Sequence, residues 1–396
     1  MRILYLTHSP PAPPLSGDRL RNYHLIQELA KHGHEVHVAA LAPRGVVDEP
    51  YPSVPGCATN LVARCVPSRR VRIARLALDT IIRRSYEARW FWSADGAAFV
   101  KRRYEEVQPD LVVFAHLFMA SYVAFESWSV PVVFDTHNYE QGRLRSVARG
   151  DGAFRMRLVN SLQVGPTSRF ERRVVQASSL VVACRESDAD AFQRLGARNV
   201  VVIPNGTNIP PVCKAARSEL LFLGSFTYQA NRDAFSFLCD EVLPLIRRDV
   251  VLNVVGSGAQ PRLRPPDTIG RVRIRWVGEV HDVGPFLDSA LALVAPLRQG
   301  GGTKLKVIEA MAHGTPVITT SVGAEGLAVA DGDELLIAEG AAEFASRVDE
   351  LLDEPALRAR LSRLGRRFVL KNHTWSDIGD RYAAALSDLT TQAGDV

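Results

Sequence analysis

The sequence lacks most of the features that would take it outside ordinary soluble α/β proteins. No stretch approaches the roughly eighteen uninterrupted apolar residues of a membrane-spanning helix. The opening MRILYLTHSP has an apolar run too short for a signal peptide and reads as a strand. The five cysteines, Cys57, Cys65, Cys184, Cys213 and Cys239, stand at no C-x-x-C or Cys/His ligand spacing. They are expected as reduced, mostly buried thiols of a cytosolic protein, which excludes a disulfide framework and a structural zinc site. Neither charge sign dominates: 48 Lys and Arg against 43 Asp and Glu leave +5, too little to imply a nucleic-acid partner. No repeat at solenoid periods is present. The loop after the first strand lacks G-x-G-x-x-G, so a dinucleotide fingerprint is excluded there.

What is present is strand alternating with helix, over 396 residues, a length that suits two domains. The most informative stretch is Pro296–Gly323, PLRQGGGTKLKVIEAMAHGTPVITTSVG. It follows the apolar run LALVA, which reads as a buried parallel strand. Gly300, Gly301 and Gly302 come next, then Thr303, Lys304 and the helical pattern LKVIEAMAHG. Strand, glycine loop and helix start aim free backbone N–H groups at an anion, and Lys304 and Lys306 add charge there. Glu309 lies further along that helix, and Gly314 suits the position that ends it. A diphosphate at the loop and a hydroxyl-rich group at Glu309 would suit such a site, which is the description of a nucleotide sugar. A plain turn before a helix is the competing reading of the loop.

In the first half, strand Arg2–Thr7, loop His8–Asp18, helix Arg19–His32 and strand His34–Ala40 make a βαβ unit. Residues 43 to 60 read as a proline-rich loop. Arg64–Trp92 holds eight arginines against Asp79 and Glu87 and reads as an amphipathic helix with a solvated basic face. The alternative is contact with an anionic membrane surface or a phosphate-bearing acceptor. LVVFAH ends at His116, and VPVVFD ends at Asp135-Thr136-His137-Asn138. These ends are where open α/β sheets bind ligands. Residues 142 to 173 are again basic. Pro204-Asn205-Gly206 turns the chain, residues 207 to 218 read as a linker, and ELLFLG begins a second series of strands.

The chain resembles the family-4 retaining glycosyltransferases of the GT-B fold. Glu309-Ala310-Met311-Ala312-His313-Gly314-Thr315-Pro316-Val317 matches the second half of their donor-site signature, which usually has a glutamate eight positions earlier. That position is Gly301 here. The usual G-R-x4-K element is replaced by Gly224-Ser225-Phe226-Thr227-Tyr228-Gln229-Ala230-Asn231, without the two cations. Asn208 stands where P-N-G-x-D has aspartate. GSFTYQAN together with GGGTKLKVIEAMA is similar to a branch of bacterial polysaccharide and secondary-metabolite sugar transferases in which Gly301 is expected.

The resemblance implies two Rossmann-like parallel-sheet domains facing a central cleft: residues 1–206 on the acceptor side and 207–370 holding the nucleotide sugar. Residues 371–396 would form a helix crossing back to the first domain, anchored by Trp375. It implies donor contacts from Gly17, Asn205, Gly224, Ser225, Gly301, Gly302, Thr303, Lys304, Leu305 and Glu309, with Glu309 on the ribose. Acceptor contacts fall to Asp18, Arg21, Asp135, His137 and Asn138. Catalysis would rest on His116, which positions the sugar, with Lys304 and Glu309. Anomeric configuration would be retained by front-face attack. No cofactor and no metal are called for, because cations and amides carry the diphosphate charge. The partners implied are a nucleotide sugar and a hydroxyl acceptor (lipid-linked, glycan or small molecule), with no nucleic acid. The location would be cytoplasmic, open to peripheral contact with the inner face of the membrane. A sugar-nucleotide epimerase of the same fold and a non-catalytic GT-B partner are the alternatives.

Overall fold

The computed structural model describes all residues except 15, 44–50, 65–70, 72–73, 77, 80–81, 83, 150–153, 214–216, 259–263, 301–303 and 395–396. The chain divides into two compact units: Met1–Asn205 with Trp375–Val396, and Gly206–Thr374. The boundaries expected at 206 and 370 thus fall at 205 and 374. The second shifts because the helix Pro355–Asn372 runs on before Trp375 opens the last helix, Trp375–Gly394.

Unit 1 is built on a parallel seven-stranded sheet of β1 (Arg2–Thr7), β2 (Glu35–Pro43), β3 (Ala58–Arg64), β4 (Leu111–Ala115), β5 (Val132–Asp135), β6 (Leu180–Ala183) and β7 (Val200–Val202). Their order is β3-β2-β1-β4-β5-β6-β7. The central strands are apolar throughout because both faces are covered. Alternate side chains divide between the faces. Leu4, Leu6, Phe114 and Phe134 pack with Phe192 on one side. Ile3, Tyr5, Val113 and Val133 pack on the other with Leu25, Ile26 and Leu29 of the helix Gly17–Lys31 and with Ile378, Tyr382 and Leu386 of the last helix. Each fully buried leucine or isoleucine contributes about 1.5–3 kcal/mol. Trp375 is buried, and its ring stacks on His24 with centroids 4.6 Å apart.

β3 corrects the expectation of a loop followed directly by a helix. ATNLVAR has too few apolar residues to stand out as a strand, yet as the edge strand it needs only one neighbour, β2. The basic helix expected over 64–92 lies partly outside the described residues; the described ones include the short helix Tyr86–Trp90. The second basic segment forms the helices Glu140–Arg149 and Phe154–Ala177.

Unit 2 repeats the plan. Its strands are β8 (Glu219–Leu223), β9 (Val250–Val255), β10 (Thr268–Ile269), β11 (Val272–Gly278), β12 (Ala290–Ala295), β13 (Val317–Thr319) and β14 (Leu336–Ile337). The order is β10-β11-β9-β8-β12-β13-β14, parallel except for the β10–β11 pair. In each sheet the winding reverses once at the centre, between β1 and β4 and between β8 and β12. At such a switch point the loops leaving the strand ends part and open a crevice. Among the described residues, no helix is long and apolar enough to cross a membrane.

Candidate functional site

The switch point of unit 1 gathers three histidines. His8 follows β1, His116 follows β4 and His137 follows β5. The His116 and His137 rings stack with centroids 3.9 Å apart, and His8 meets His116 edge-on at 4.4 Å. Phe118 stacks on the outer part of the group, 4.9 Å from His116. Asp18, in the first turn of the helix Gly17–Lys31, accepts from His8 Nε2 at 3.1 Å. Burial alone would raise the Asp18 carboxyl, but the hydrogen bond and charge of His8, with His116 beyond, hold it well below the usual range. Burial pushes His137 down to about 4 and His116 well below its ordinary value, with neighbouring histidines adding to the effect at His116. His116 is therefore neutral near pH 7. Its Nε2 is buried without a hydrogen-bond partner among the described residues. Its backbone sits at φ +74°, a strained setting for a non-glycine residue. His137 Nε2 is held by Asn22 Oδ1 at 3.1 Å.

Two residues expected on the acceptor lie inside the unit instead. Arg21 and Asp135 are buried and paired at 2.9 Å, and Tyr5 donates to the other carboxylate oxygen at 2.8 Å. Arg21 also donates to the carbonyls of Ile203 and Pro204 and to Asn205 Oδ1. Their polar atoms hold Asn205 and the end of β5 together. Gly17 starts its helix in an exposed setting, and Asn138 is half-buried.

The switch point of unit 2 lies between Gly224-Ser225, after β8, and Gly300 and the helix Leu305–Ala312, after β12. Gly301, Gly302 and Thr303, expected on the donor, lie outside the described residues. Lys304 caps the helix and its Nζ reaches the Gly300 carbonyl at 3.4 Å. Leu305, the first residue of that helix, is half-buried. Gly314 takes φ +67°, its N–H bonds to Met311 and that of Thr315 to Ala310, the paired bonds that close a helix end. Glu309 is mostly buried, and burial, with the Asp282 carboxylate, raises it to about 7. No side-chain hydrogen bond engages its carboxylate among the described residues.

Lys306 carries more of this site than its sequence context suggests. Its Nζ donates to Asn231 Oδ1 at 2.7 Å and lies 5.6 Å from the Phe222 ring centroid. A Cβ on Gly224 would meet that Nζ at 2.7 Å. Burial, with Lys304 close by, lowers Lys306 to about 7. Asn231 in turn donates to the Ser225 carbonyl at 2.8 Å, and Ser225 Oγ bonds Ser257 and Thr227. Arg232 donates to Gln229 and to the Phe226 carbonyl, and so is tied to its own helix. His8 and Asn22 are residues sequence reasoning passed over, while Lys306 was given only added charge and Asn231 only a place in a motif. His8 carried a signal: it is the first residue past a central strand, where ligands bind. D-x-D triplets at Asp188–Asp190 and Asp331–Asp333 each have an aspartate paired with an arginine, Arg185 and Arg347.

Two family models match successive parts of the chain: glycosyltransferase family 4 over residues 20–209 and glycosyl transferases group 1 over residues 217–354. The glycogen synthase of Mycobacterium tuberculosis is 26% identical over 96% of this chain and 92% of its own. The solved sucrose-phosphate synthase from Thermosynechococcus elongatus superimposes with a TM-score of 0.73 at 18% identity, covering 99% of this chain and all of that one. Anabaena HepE, solved in complex with UDP-glucose, gives 0.65 at 15% identity over 98% of this chain and all of that one. These likenesses give the two parallel-sheet α/β units the GT-B fold. With the two family matches and the glycogen synthase relative, they support a family-4-like glycosyltransferase.

Proposed function

We propose that the chain is a retaining, metal-independent transferase that moves a sugar from a nucleotide-diphosphate sugar to a hydroxyl acceptor in bacterial glycan, glycolipid or secondary-metabolite synthesis. The observation that carries the donor reading is the pair on one short helix of unit 2. A mostly buried carboxylate, Glu309, has no side-chain hydrogen-bond donor among the described residues, and the Lys306 ammonium, drawn into the interior, sits against Gly224, the glycine that follows β8. A ribose diol satisfies the first and a diphosphate the second. Lys304 adds a second cation at the helix start, where the N–H groups already favour an anion. The departing diphosphate is then stabilised by fixed charge and N–H groups.

In unit 1 the neutral His116, with an unpartnered nitrogen, suits a hydrogen bond to a sugar hydroxyl rather than nucleophilic attack. Asp18, His137 and Asn138 remain as acceptor-side candidates. HepE was solved with UDP-glucose, which makes a UDP-sugar the first donor to try.

The test is thermal unfolding with UDP-, GDP-, ADP- and dTDP-sugars, repeated with Lys304→Ala and Glu309→Ala. A donor at a hundred times its Kd stabilises by about 2.7 kcal/mol. One nucleotide sugar should raise the midpoint of the parent, and both substitutions should weaken that shift. No shift with any donor at millimolar concentration sinks the donor assignment.

A further inference from the structure

Unit 1 carries a second recess, of about 600 Å³, lined among others by Arg84, Arg89, Arg169, Arg173, Trp92 and Phe170. That volume is within the usual range for a small-molecule site. Arg169 and Arg173 are four apart on the helix Phe154–Ala177 and share a face. Arg84 precedes the short helix Tyr86–Trp90, and Arg89 lies in its last turn. No carboxylate is among the described residues that line the recess. Asp79, buried behind it, pairs with Arg89 at 2.9 Å, and Arg84 and Arg173 have no carboxylate partner among the described residues.

The arrangement is braced. Ser85 Oγ bonds Thr167 Oγ1 at 3.1 Å, and the Tyr86 N–H donates to Gln163 Oε1 at 2.9 Å, so the short helix is fastened to the long one. Ser121 Oγ donates to the Ala88 carbonyl at 2.8 Å, which fastens it also to the turn that follows His116. Phe91, next to Trp92, stacks on Phe118 at 4.3 Å and edges His8 at 5.6 Å. One aromatic wall therefore joins the recess to the histidine cluster.

Arg84 and Arg173 bring to the recess two guanidiniums that no carboxylate among the described residues offsets, and an anion placed there would offset them. Planar guanidiniums match the oxygens of phosphate two at a time. Trp92, 47% exposed, and Phe170 add an apolar wall that inorganic phosphate would leave uncovered. We propose that this recess binds an organic phosphate ester, and that the phosphate is part of the acceptor. The assignment to the acceptor rests on the transferase reading above; the anion site does not. A lipid phosphate and a soluble sugar or polyol phosphate share this chemistry.

The test titrates the full chain calorimetrically, at low salt, with octyl phosphate and with glycerol 3-phosphate. The parent is compared with the double variant Arg84→Gln/Arg173→Gln and with Arg102→Gln, an exposed arginine on the helix Ala94–Val107. The two recess arginines are exposed, so their loss leaves the core intact. The double variant should bind roughly ten- to a hundredfold more weakly, and Arg102→Gln as the parent does. Tighter binding of octyl phosphate identifies a lipid source, and tighter binding of glycerol 3-phosphate a soluble one; either supports the site. Unchanged affinity in the double variant, or no saturable binding of either ester, overturns it.

Transfer assays with glucose and glucose 6-phosphate, and with glycerol and glycerol 3-phosphate, test the acceptor link. The parent should prefer the phosphorylated member by about tenfold in KM, and the double variant should lose that preference. Preference for the unphosphorylated member overturns the acceptor assignment. Stabilisation by UDP-glucose, read in parallel, depends on Lys304 and Glu309, so a failed donor site and a failed phosphate site give different patterns.

Discussion

Replacing Arg21 by methionine tests whether the Arg21–Asp135 pair is what holds the floor of the unit 1 site. Arg21 is 1% exposed and Asp135 fully buried. Arg21 reaches Asp135 through Nε and Nη2 and reaches Ile203, Pro204 and Asn205 through Nη1. Methionine fills much of the volume, so the cavity left is small. It leaves the Asp135 carboxylate in the interior with Tyr5 as its remaining side-chain donor among the described residues and frees the acceptors around β7. Removing one partner of a buried pair costs about 3–5 kcal/mol. For a unit of this size each kcal/mol lowers Tm by roughly 2–4 °C, so the unit 1 transition should fall by about 6–20 °C. Calorimetry on the intact chain reads this, with denaturant midpoints as the second measure. The double variant Arg21→Met/Asp135→Asn should recover part of the loss, because it removes the stranded charge as well. A loss under about 1 kcal/mol in the single variant, or strict additivity in the double, refutes the reasoning.

Glu309 gives a pH signature. Burial holds its carboxyl at about 7 against an ordinary 4.5, so between those values the folded chain keeps a proton that the unfolded chain has released. Its contribution to stability therefore falls as pH rises from about 4.5 to 7, by about 3 kcal/mol in all. Urea midpoints at pH 5 and pH 8 should show a smaller drop in Glu309→Gln than in the parent. Gly256→Ala tests the contact between the loops after β8 and β9. The new Cβ would lie 2.0 Å from the Gly224 carbonyl oxygen, which must move. The expected cost is about 1–3 kcal/mol with weakened donor binding, and an unchanged Tm and donor response would show that the loops do not need this approach.

The parts of the fold that could be read from sequence are those where a local signal is unopposed. Continuous apolar runs such as LALVA and LVVFA became central strands, because a strand covered on both faces needs no alternation. The Gly314 helix end was readable because one residue type suits a left-handed position. β3 was not, since an edge strand has less to bury. The place of Asp135 was readable in principle and was missed. Val133 packs on the face that holds Tyr5, and Asp135, two residues on, points the same way, under the helix Gly17–Lys31. Position at a strand end suggested an acceptor contact, but the pleat sends the side chain inward. Lys306 could not be judged from its neighbours in sequence. Its burial depends on Phe222 and Asn231, which tertiary folding brings from more than seventy residues away.

Lys306 also bears on the cations missing from the loop after β8. A lysine on that loop would have brought charge to the diphosphate from the β8 side. Here Gly224-Ser225 carries none, and the ammonium arrives from the helix after β12, threaded beside a glycine that leaves room for it. Asn231 takes the place of a second cation as a neutral acceptor that fixes the Lys306 head. The cost of this route is burial, which lowers the ammonium to about 7 and leaves it only partly charged at neutral pH. On the proposed donor reading, a diphosphate bound there would reverse that balance, since an opposite charge within a few ångströms favours the protonated form. On that reading Lys306 would be partly charged when the site is empty and fully charged when it is filled, which limits its repulsion with Lys304 in the empty state. Under the proposed donor site, the lost Arg/Lys pair would mark a relocated charge and would not by itself be a sign of an inactive protein.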